Sequence, residues 1–442
     1  QANLQYRVVY STSNNIATPE QASNGIESVP WVTGTTSHSI TGLPQNTTFY
    51  INVFVRDGAG NIAGYTTASA KTVARHDIYV ADTSGTSQAF FKNTSTLGGA
   101  VSLDSGSITT VPDPQAAGAA DVNGDGMMDL VLGRGATNGV QTYINSGDWA
   151  TGGDRMVPAQ SFSTPDSGPV LATADVTDDG FPDLIVHDGT ALQVFKNQTG
   201  VFRTTGITQS DAEWGNYDDD IAALVTADLN GDGYDDLVVG RGSSSTADNA
   251  VFLNPGEDSG VFTSQITNPG DTTPLPGTTA QTRDIAAGDI DGDGDVDLYI
   301  ANSGPAYVLL GNGDGTFTAG TAPSAATDTV SVALGDIDDD DDLDVAIARS
   351  GGNSLEVWEN TGSGWNELTT ATPTAASNQS DVAFADLNGD GCAELISISE
   401  TNGELWIWEN DGSGGFTVLA GYSPNTAAVG TPSVLVVAPV VP

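Results

Sequence analysis

The residues best able to do chemistry in this chain are aspartates, and they recur at a fixed spacing. The nonapeptide DVNGDGMMD, which starts at Asp121, returns as DVTDDGFPD from Asp175, DLNGDGYDD from Asp228, DIDGDGDVD from Asp289, DIDDDDDLD from Asp336 and DLNGDGCAE from Asp386. In all six copies, positions 1, 3, 5 and 9 carry an oxygen-bearing side chain, and position 6 is Gly except for Asp341 in the fifth. Carboxylates packed this closely repel one another unless a positive charge lies between them. A hard cation such as Ca²⁺ takes six to eight oxygen ligands and suits flexible loops of this kind. The chemistry implied is ion binding, and its repetition points to a scaffold: each ion would clip a connection and neutralise its carboxylates.

Catalytic chemistry finds no comparable support. The three histidines, His38, His76 and His187, are paired with no nucleophile, so each reads as structural or surface. No G-x-S-x-G elbow, phosphate-cradling loop or thiolate site is visible. Two carboxylates could cleave a glycosidic bond, but the best-placed aspartates are needed by metal. A polysaccharide-acting enzyme is therefore the minor alternative, with no catalytic residue to name. Trp358, Trp406 and Trp408 alternate within strands of two neighbouring repeats, and Trp214 and Trp365 lie near turns. Such rings could stack sugars, yet tryptophans placed like this more often pack sheet against sheet. Trp365, in a Gly-Trp-Asn turn, is the most exposed candidate.

Charge narrows the partners. Acidic residues number 57 against 12 basic, a formal net charge of −45, and 26 of the acids lie in the six loops. Such a surface repels nucleic acid and anionic membranes. No apolar run reaches the roughly 18 residues of a membrane span. Gln1 is followed by no basic and apolar leader, so any export signal is expected to be gone already. The single Cys392 excludes an intramolecular disulfide. Millimolar external Ca²⁺ suits weak loops, which places the protein outside the cell or on its surface. Four N-x-S/T sequons, at Asn46, Asn93, Asn197 and Asn378, are compatible with that.

Two kinds of element must hold these loops. Residues 1–74 form a separate unit in which LQYRVVYS and FYINVFVRD alternate apolar with polar, as half-buried strands do. This stretch resembles the second half of a fibronectin type III domain. The likeness rests on the Leu43-Pro44 turn, Phe49 where the family usually has its corner tyrosine, the strand Tyr50 to Asp57, and the Gly60-Asn61 turn. About two strands that such a domain needs before Leu4 are absent, so a fragment, a reduced variant, or strand sharing with another copy all remain open.

Residues 75–442 carry the repeat. Loop starts are separated by 54, 53, 61, 47 and 50 residues. An apolar segment enters each loop (LATA, LVTA, VALG, VAFA), a second leaves it (DLVLG, DLIVH, DLVVG, DLYIA, LDVAI, ELISI), and a third follows (VQTYIN, LQVFKN, AVFLN, YVLLGN, LEVWEN, LWIWEN). Three or four short strands per roughly 50 residues, with no helical period, predict an all-β fold built as a β-propeller. Residues 76–93 copy the second and third strands without a loop, and PSVLVVAP (432–439) copies the first strand alone. Joining the two gives a seventh, loopless blade that closes the ring. Donation of 432–439 to the incomplete N-terminal unit is the rival.

The loop with its flanking strands resembles the FG-GAP/VCBS repeat family, known from integrin α-subunit propellers and bacterial surface proteins. The resemblance implies that side chains at positions 1, 3, 5 and 9 and the carbonyl at position 7 bind Ca²⁺, about six ions in all. Carried over, the sets are Asp121, Asn123, Asp125, Met127 and Asp129; Asp175, Thr177, Asp179, Phe181 and Asp183; Asp228, Asn230, Asp232, Tyr234 and Asp236. They continue as Asp289, Asp291, Asp293, Asp295 and Asp297; Asp336, Asp338, Asp340, Asp342 and Asp344; Asp386, Asn388, Asp390, Cys392 and Glu394. Thr177 is the weaker ligand type, Glu394 changes the reach, and Asp341 replaces a turn glycine. The expectation is a seven-bladed propeller with Ca²⁺ loops in six blades, preceded by an incomplete fibronectin type III-like sandwich. It would serve adhesion or surface assembly, as a filament or surface-layer subunit, with protein or glycan partners at the cell surface. Self-association through strand sharing and a lectin-like glycan site are the variants of that reading.

Overall fold

In a computed structural model of the protein, residues 4–33, 48–71, 76–82, 88–93, 95, 100–106, 114–125, 127–135, 139–145, 156–163, 169–187, 191–203, 206–208, 221–242, 249–256, 260–262, 264–265, 275, 280–323, 328–349, 355–368, 379–399, 404–419 and 432–437 are described. The Leu43-Pro44 turn, His38, Trp214, the sequons at Asn46 and Asn378, and residues 438–439 lie outside them. The chain divides into two compact units, most of Gln1–Arg75 in one and His76–Pro439 in the other.

The smaller unit is one sheet. Strands β1 (Gln5–Ser11), β2 (Ile26–Thr33), β3 (Thr48–Arg56) and β4 (Ile62–Gly64) run in the order β2-β1-β3-β4, and β5 (Ala68–Lys71) also pairs with β3. A 3₁₀ turn, Pro19–Asn24, is the departure from all-β expectation. Its Ala22 and the neighbouring Ile16 bury against Val9 and Phe54 on one sheet face. Phe49 points to the other face, buried and edge-on to Tyr10 at 5.7 Å. A corner hydroxyl is missing at Phe49, and an aromatic contact stands there instead.

The larger unit repeats one antiparallel design: among the described residues there are seven four-stranded sheets. Sheet one comprises Pro114–Ala120, Asp129–Arg134, Gly139–Asn145 and Met156–Phe162. Sheets two to six begin at Val170–Ala174, Ile221–Ala227, Thr282–Gly288, Thr329–Gly335 and Gln379–Ala385. Sheet seven takes its first strand from the end of the array, Pro432–Val437, and the others from its beginning: Ile78–Asp82, Gln88–Asn93 and Leu103–Gly106. Val437 pairs with Ile78 and Pro432 with Asp82.

The second strands explain the core. Runs such as DLIVH and DLVVG are buried along their whole length, as strands covered on both faces must be. Their side chains meet those of the next sheet: Ile185 and Val194 with Leu237 and Phe252, and Tyr299 and Val308 with Val345 and Ile347. The last interface joins sheet seven to sheet one through Tyr79 and Ala81 against Leu130 and Leu132. Each fully buried aliphatic side chain contributes roughly 1.5–3 kcal/mol. The first strands of successive sheets pack side by side, and that of sheet seven lies against both sheet six and sheet one. The result is a propeller-like fold.

Candidate metal centres in the inter-strand loops

Every aspartate-rich loop joins the first strand of its sheet to the second, so position 1 follows one strand and position 9 begins the next. Position 2 is always apolar and always buried (Val122, Val176, Leu229, Ile290, Ile337 and Leu387), which pins the loop to the core. Position 5 is exposed in every copy. Two left-handed residues let the chain curl round its own carboxylates. At position 4 these are Gly124, Asp178, Gly231, Gly292, Asp339 and Gly389, with φ from 54° to 75°. At position 6, Gly180, Gly233, Gly294 and Gly391 have φ of 86–96°, and Asp341 takes 70°. Asp341 thus adopts the glycine conformation, which aspartate tolerates better than most residues.

The curl aims backbone N–H groups at side chains. The position-1 carboxylate accepts from the following turn, as Asp289 does from Gly292 at 2.8 Å and Gly294 at 2.9 Å, and Asp228 from Gly233 at 2.8 Å. Position 5 accepts the N–H of position 7 in all six loops, at 2.9–3.0 Å. Position 9 is buried: Asp183, Asp236, Asp297, Asp344 and Glu394 are 0 % exposed, and Asp129 is 1 %. One oxygen of Asp129, Asp236, Asp297 and Asp344 accepts the position-2 N–H at 2.7–3.1 Å. The other accepts an N–H from the end of the third strand at 2.7–2.8 Å.

Burial raises these carboxyls: Asp129, Asp236 and Asp344 to about 7, Asp183 to about 6 and Glu394 to about 8, with Asp297 also raised. Neighbouring carboxylates, such as Asp125 and Asp121 beside Asp129, push the same way. Asp291 and Asp338 are raised too, by burial and then by the charges of Asp293 and Asp340 respectively. A divalent cation would reverse this penalty.

The residues present fit such an ion. Oxygens of Asp289, Asp291 and Asp297 lie within 4.8 Å of one another, as do those of Asp336, Asp338 and Asp340. The other four loops have Asn or Thr at position 3, so an amide or hydroxyl oxygen stands where those two have a third carboxylate. Three buried oxygens in the loops make no hydrogen bond of ordinary length: Thr177 Oγ1, Asp183 Oδ2 and Asp338 Oδ1, although Thr177 lies near enough to Asp183 to lower its carboxyl. Ligation would satisfy them. Asn123, Asn230 and Asn388 instead donate to the position-5 carboxylate at 2.9–3.0 Å.

Sequence reasoning missed a second set of polar residues, the asparagines that end the third strands. Asn197 donates its amide to the Val122 carbonyl, at position 2 of the preceding loop, at 2.7 Å, and to Pro182 of its own loop at 3.1 Å. Asn254 repeats this on Val176 and Asp235, Asn360 on Ile290 and Leu343, and Asn410 on Ile337 and Ala393. In sheet four the turn residue Gly315 takes the role, donating its N–H to Leu229 at 3.0 Å. In sheet seven Asn93 reaches Leu387 at 2.6 Å, while its own N–H donates to Asp77 at 2.9 Å. Asp77 stands where the other sheets have position 9, so the loopless sheet retains the carboxylate–asparagine pair. The available signal was the Asn closing nearly every third-strand segment. Asn93 and Asn197 are also two of the sequons, and at 1 % and 0 % exposure they have no room for a glycan.

The other sequence candidates disperse. His76 and His187 are buried. Trp358 and Trp408 are buried between sheets, Trp406 stacks on Trp408 at 6.0 Å, and Trp365 donates its indole N–H to the Thr321 carbonyl at 2.6 Å. They act in packing.

Comparison with known proteins agrees with this repeat. The FG-GAP-like repeat model matches residues 121–186, 175–239, 228–300, 289–347 and 336–397, five overlapping copies that together span more than half of the chain. The chain belongs to the FG-GAP-like repeat family. No curated protein matches this FG-GAP-like repeat protein in sequence. Among solved structures, it is similar to an Agrocybe aegerita lectin that recognises non-reducing terminal N-acetylglucosamine. The TM-score is 0.62 at 20 % identity, covering 83 % of this chain and 96 % of the lectin. A candidate 6-phosphogluconolactonase of Bacteroides uniformis gives a TM-score of 0.56 at 12 % identity, covering 82 % of this chain and 99 % of that one. At these identities the likeness is one of fold.

Proposed function

We propose that this FG-GAP-like repeat protein is a calcium-loaded, seven-bladed, integrin α-like propeller. It acts outside the cell as a non-catalytic recognition or surface-assembly module. The observation that carries the reading is the recurring loop, in which a buried position-9 carboxylate and converging acids make a lining that suits a cation. Asp121, Asp175, Asp228, Asp289, Asp336 and Asp386 head the six ligand sets, and the ions' task is to hold the first two strands of a sheet together. Among the described residues no helix is long and apolar enough to cross a membrane. The strand order β2-β1-β3-β4 of the small unit supports its reading as one sheet of a fibronectin type III-like domain.

Chelation tests this directly. Removing calcium with EDTA lowers the thermal midpoint by 10 °C or more on the order-of-magnitude gain expected from several linked ions, and elemental analysis finds calcium in the untreated protein. An unchanged midpoint in EDTA with no metal detected refutes the site assignment. Surface assembly predicts polymerisation that truncation of residues 1–74 abolishes. The lectin of similar fold favours glycan binding as the second reading, and a glycan array without a hit removes it.

A further inference from the structure

The hydrogen bonds that join one loop to the next run through the position-9 carboxylates, the buried members of the ligand sets. Between the fourth and fifth loops every link is in place. Asp297 Oδ2 accepts the Ile290 N–H, the Ile290 carbonyl accepts Asn360 Nδ2, and the Asn360 N–H donates to Asp344 Oδ1, each at 2.7 Å. Asn360 is 7 % exposed and cannot turn away. Its amide also donates to Leu343 at 3.3 Å, and its Oδ1 accepts the Gly362 N–H at 3.2 Å. Among the described residues, these are the two loops in which three carboxylates converge.

We propose that Asn360 couples the fourth and fifth loops, so that an ion held in one raises the affinity of the other. The inference rests on the calcium reading of the loops. An ion that fixes Asp297 also fixes Ile290, and through Asn360 it orients Asp344 before the second ion arrives. Partners that orient a ligand in this way alter affinity strongly, and the effect is reciprocal. The same unbroken path joins the first loop to the second, from Asp129 through Val122 and Asn197 to Asp183. It breaks between the second and third, where Asp183 Oδ2 takes no N–H from Val176 as Asp129 Oδ2 does from Val122. The two unbroken paths therefore couple one with two and four with five, whereas the second and third loops load independently of each other.

Hydrogen exchange across a calcium titration of the full chain reads each loop separately. Asp293→Ala removes an exposed position-5 carboxylate and disables loop four without touching Asp297. The calcium midpoint for protection of residues 336–344 then rises about fivefold or more. In an Asn360→Ala background that shift vanishes, whereas Asn410→Ala, which severs a bond on the far side of loop five, leaves it standing. If Asn360→Ala does not fold, Asn360→Asp keeps the shape and the backbone N–H but lacks the amide donor, and gives the same readout. A loop-five midpoint indifferent to Asp293→Ala overturns the coupling, as does a shift that survives loss of the amide. Titrations flat in every loop overturn the calcium reading instead.

Discussion

Replacing Asn93 with alanine should open the ring where its two ends meet. The Asn93 side chain is 1 % exposed, donates to the Leu387 carbonyl at 2.6 Å and accepts the Ser95 N–H at 2.9 Å. Alanine leaves both buried partners unsatisfied, and at about 1–3 kcal/mol for each the loss is roughly 3 kcal/mol. For a unit of this size that corresponds to a fall of roughly 4 °C in the thermal midpoint. Local exchange is the sharper assay, because Asn93 bridges residues nearly 300 apart in the chain. Amides of Ile78–Asp82 and Pro432–Val437 should exchange faster in the variant, while sheets two to five keep their protection. Asn197→Ala removes an equivalent bond to Val122 in mid-array and should give a similar thermal loss with no loosening of the two end strands. The reasoning fails if Asn93→Ala moves the midpoint by less than about 1 °C and leaves those strands protected.

Two further substitutions probe backbone and charge. Asp341→Gly relieves a φ of 70° and should stabilise the unit by about 1 kcal/mol, seen as a higher urea midpoint at unchanged slope; a lower midpoint refutes the strain. Asp284 and Asp381 occupy the same position on the first strands of sheets four and six, with Ser331 between them donating to Asp381 at 2.7 Å. Val332 donates its N–H to Asp284 at 2.9 Å and Leu435 to Asp381 at 2.9 Å. Burial and the charge of Asp381 raise Asp284 to about 7, and burial raises Asp381 to about 6. Both values lie above those of the unfolded chain, so the folded form binds more protons and stability falls as pH rises from about 4, the ordinary carboxyl value, through 6 to 7. Asp284→Asn cannot ionise; at saturating calcium its thermal midpoint should gain on the parent's between pH 5 and 8, and a pH-independent difference would contradict the linkage.

What could be read from the residues depended on how local the cause was. The loops were legible because a left-handed turn and a cluster of carboxylates leave a mark within nine residues. The pairing of Val434 with Ala81 was foreseeable because one segment lacked a first strand and another lacked its partners. Asn197, Asn254, Asn360 and Asn410 were visible as letters but not as latches, since each acts on a carbonyl seventy or more residues earlier. Nothing in the sequence sets Asp284 and Asp381 apart from other aspartates; only the approach of the next sheet's N–H groups gives them a role. Gly315 standing in for an asparagine has no sequence signal at all.

The seventh sheet also constrains how the protein comes to be folded. Six sheets draw on contiguous stretches of chain and can each form as soon as their own segment is available. The Ile78–Asp82 strand must wait for a partner roughly 350 residues later, and closing so long a loop costs about 3 kcal/mol more than closing a fifteen-residue hairpin. During synthesis, then, the earliest part of the array is the last to be completed, with one edge of the Ile78–Asp82 strand unpaired and Ile78 and Val80 waiting for sheet six to cover them. An unpaired edge invites foreign strands. On the calcium reading proposed above, ions captured early in the first loops would shorten the vulnerable interval by stiffening the partial ring, and calcium at the site of folding would then be a determinant of yield.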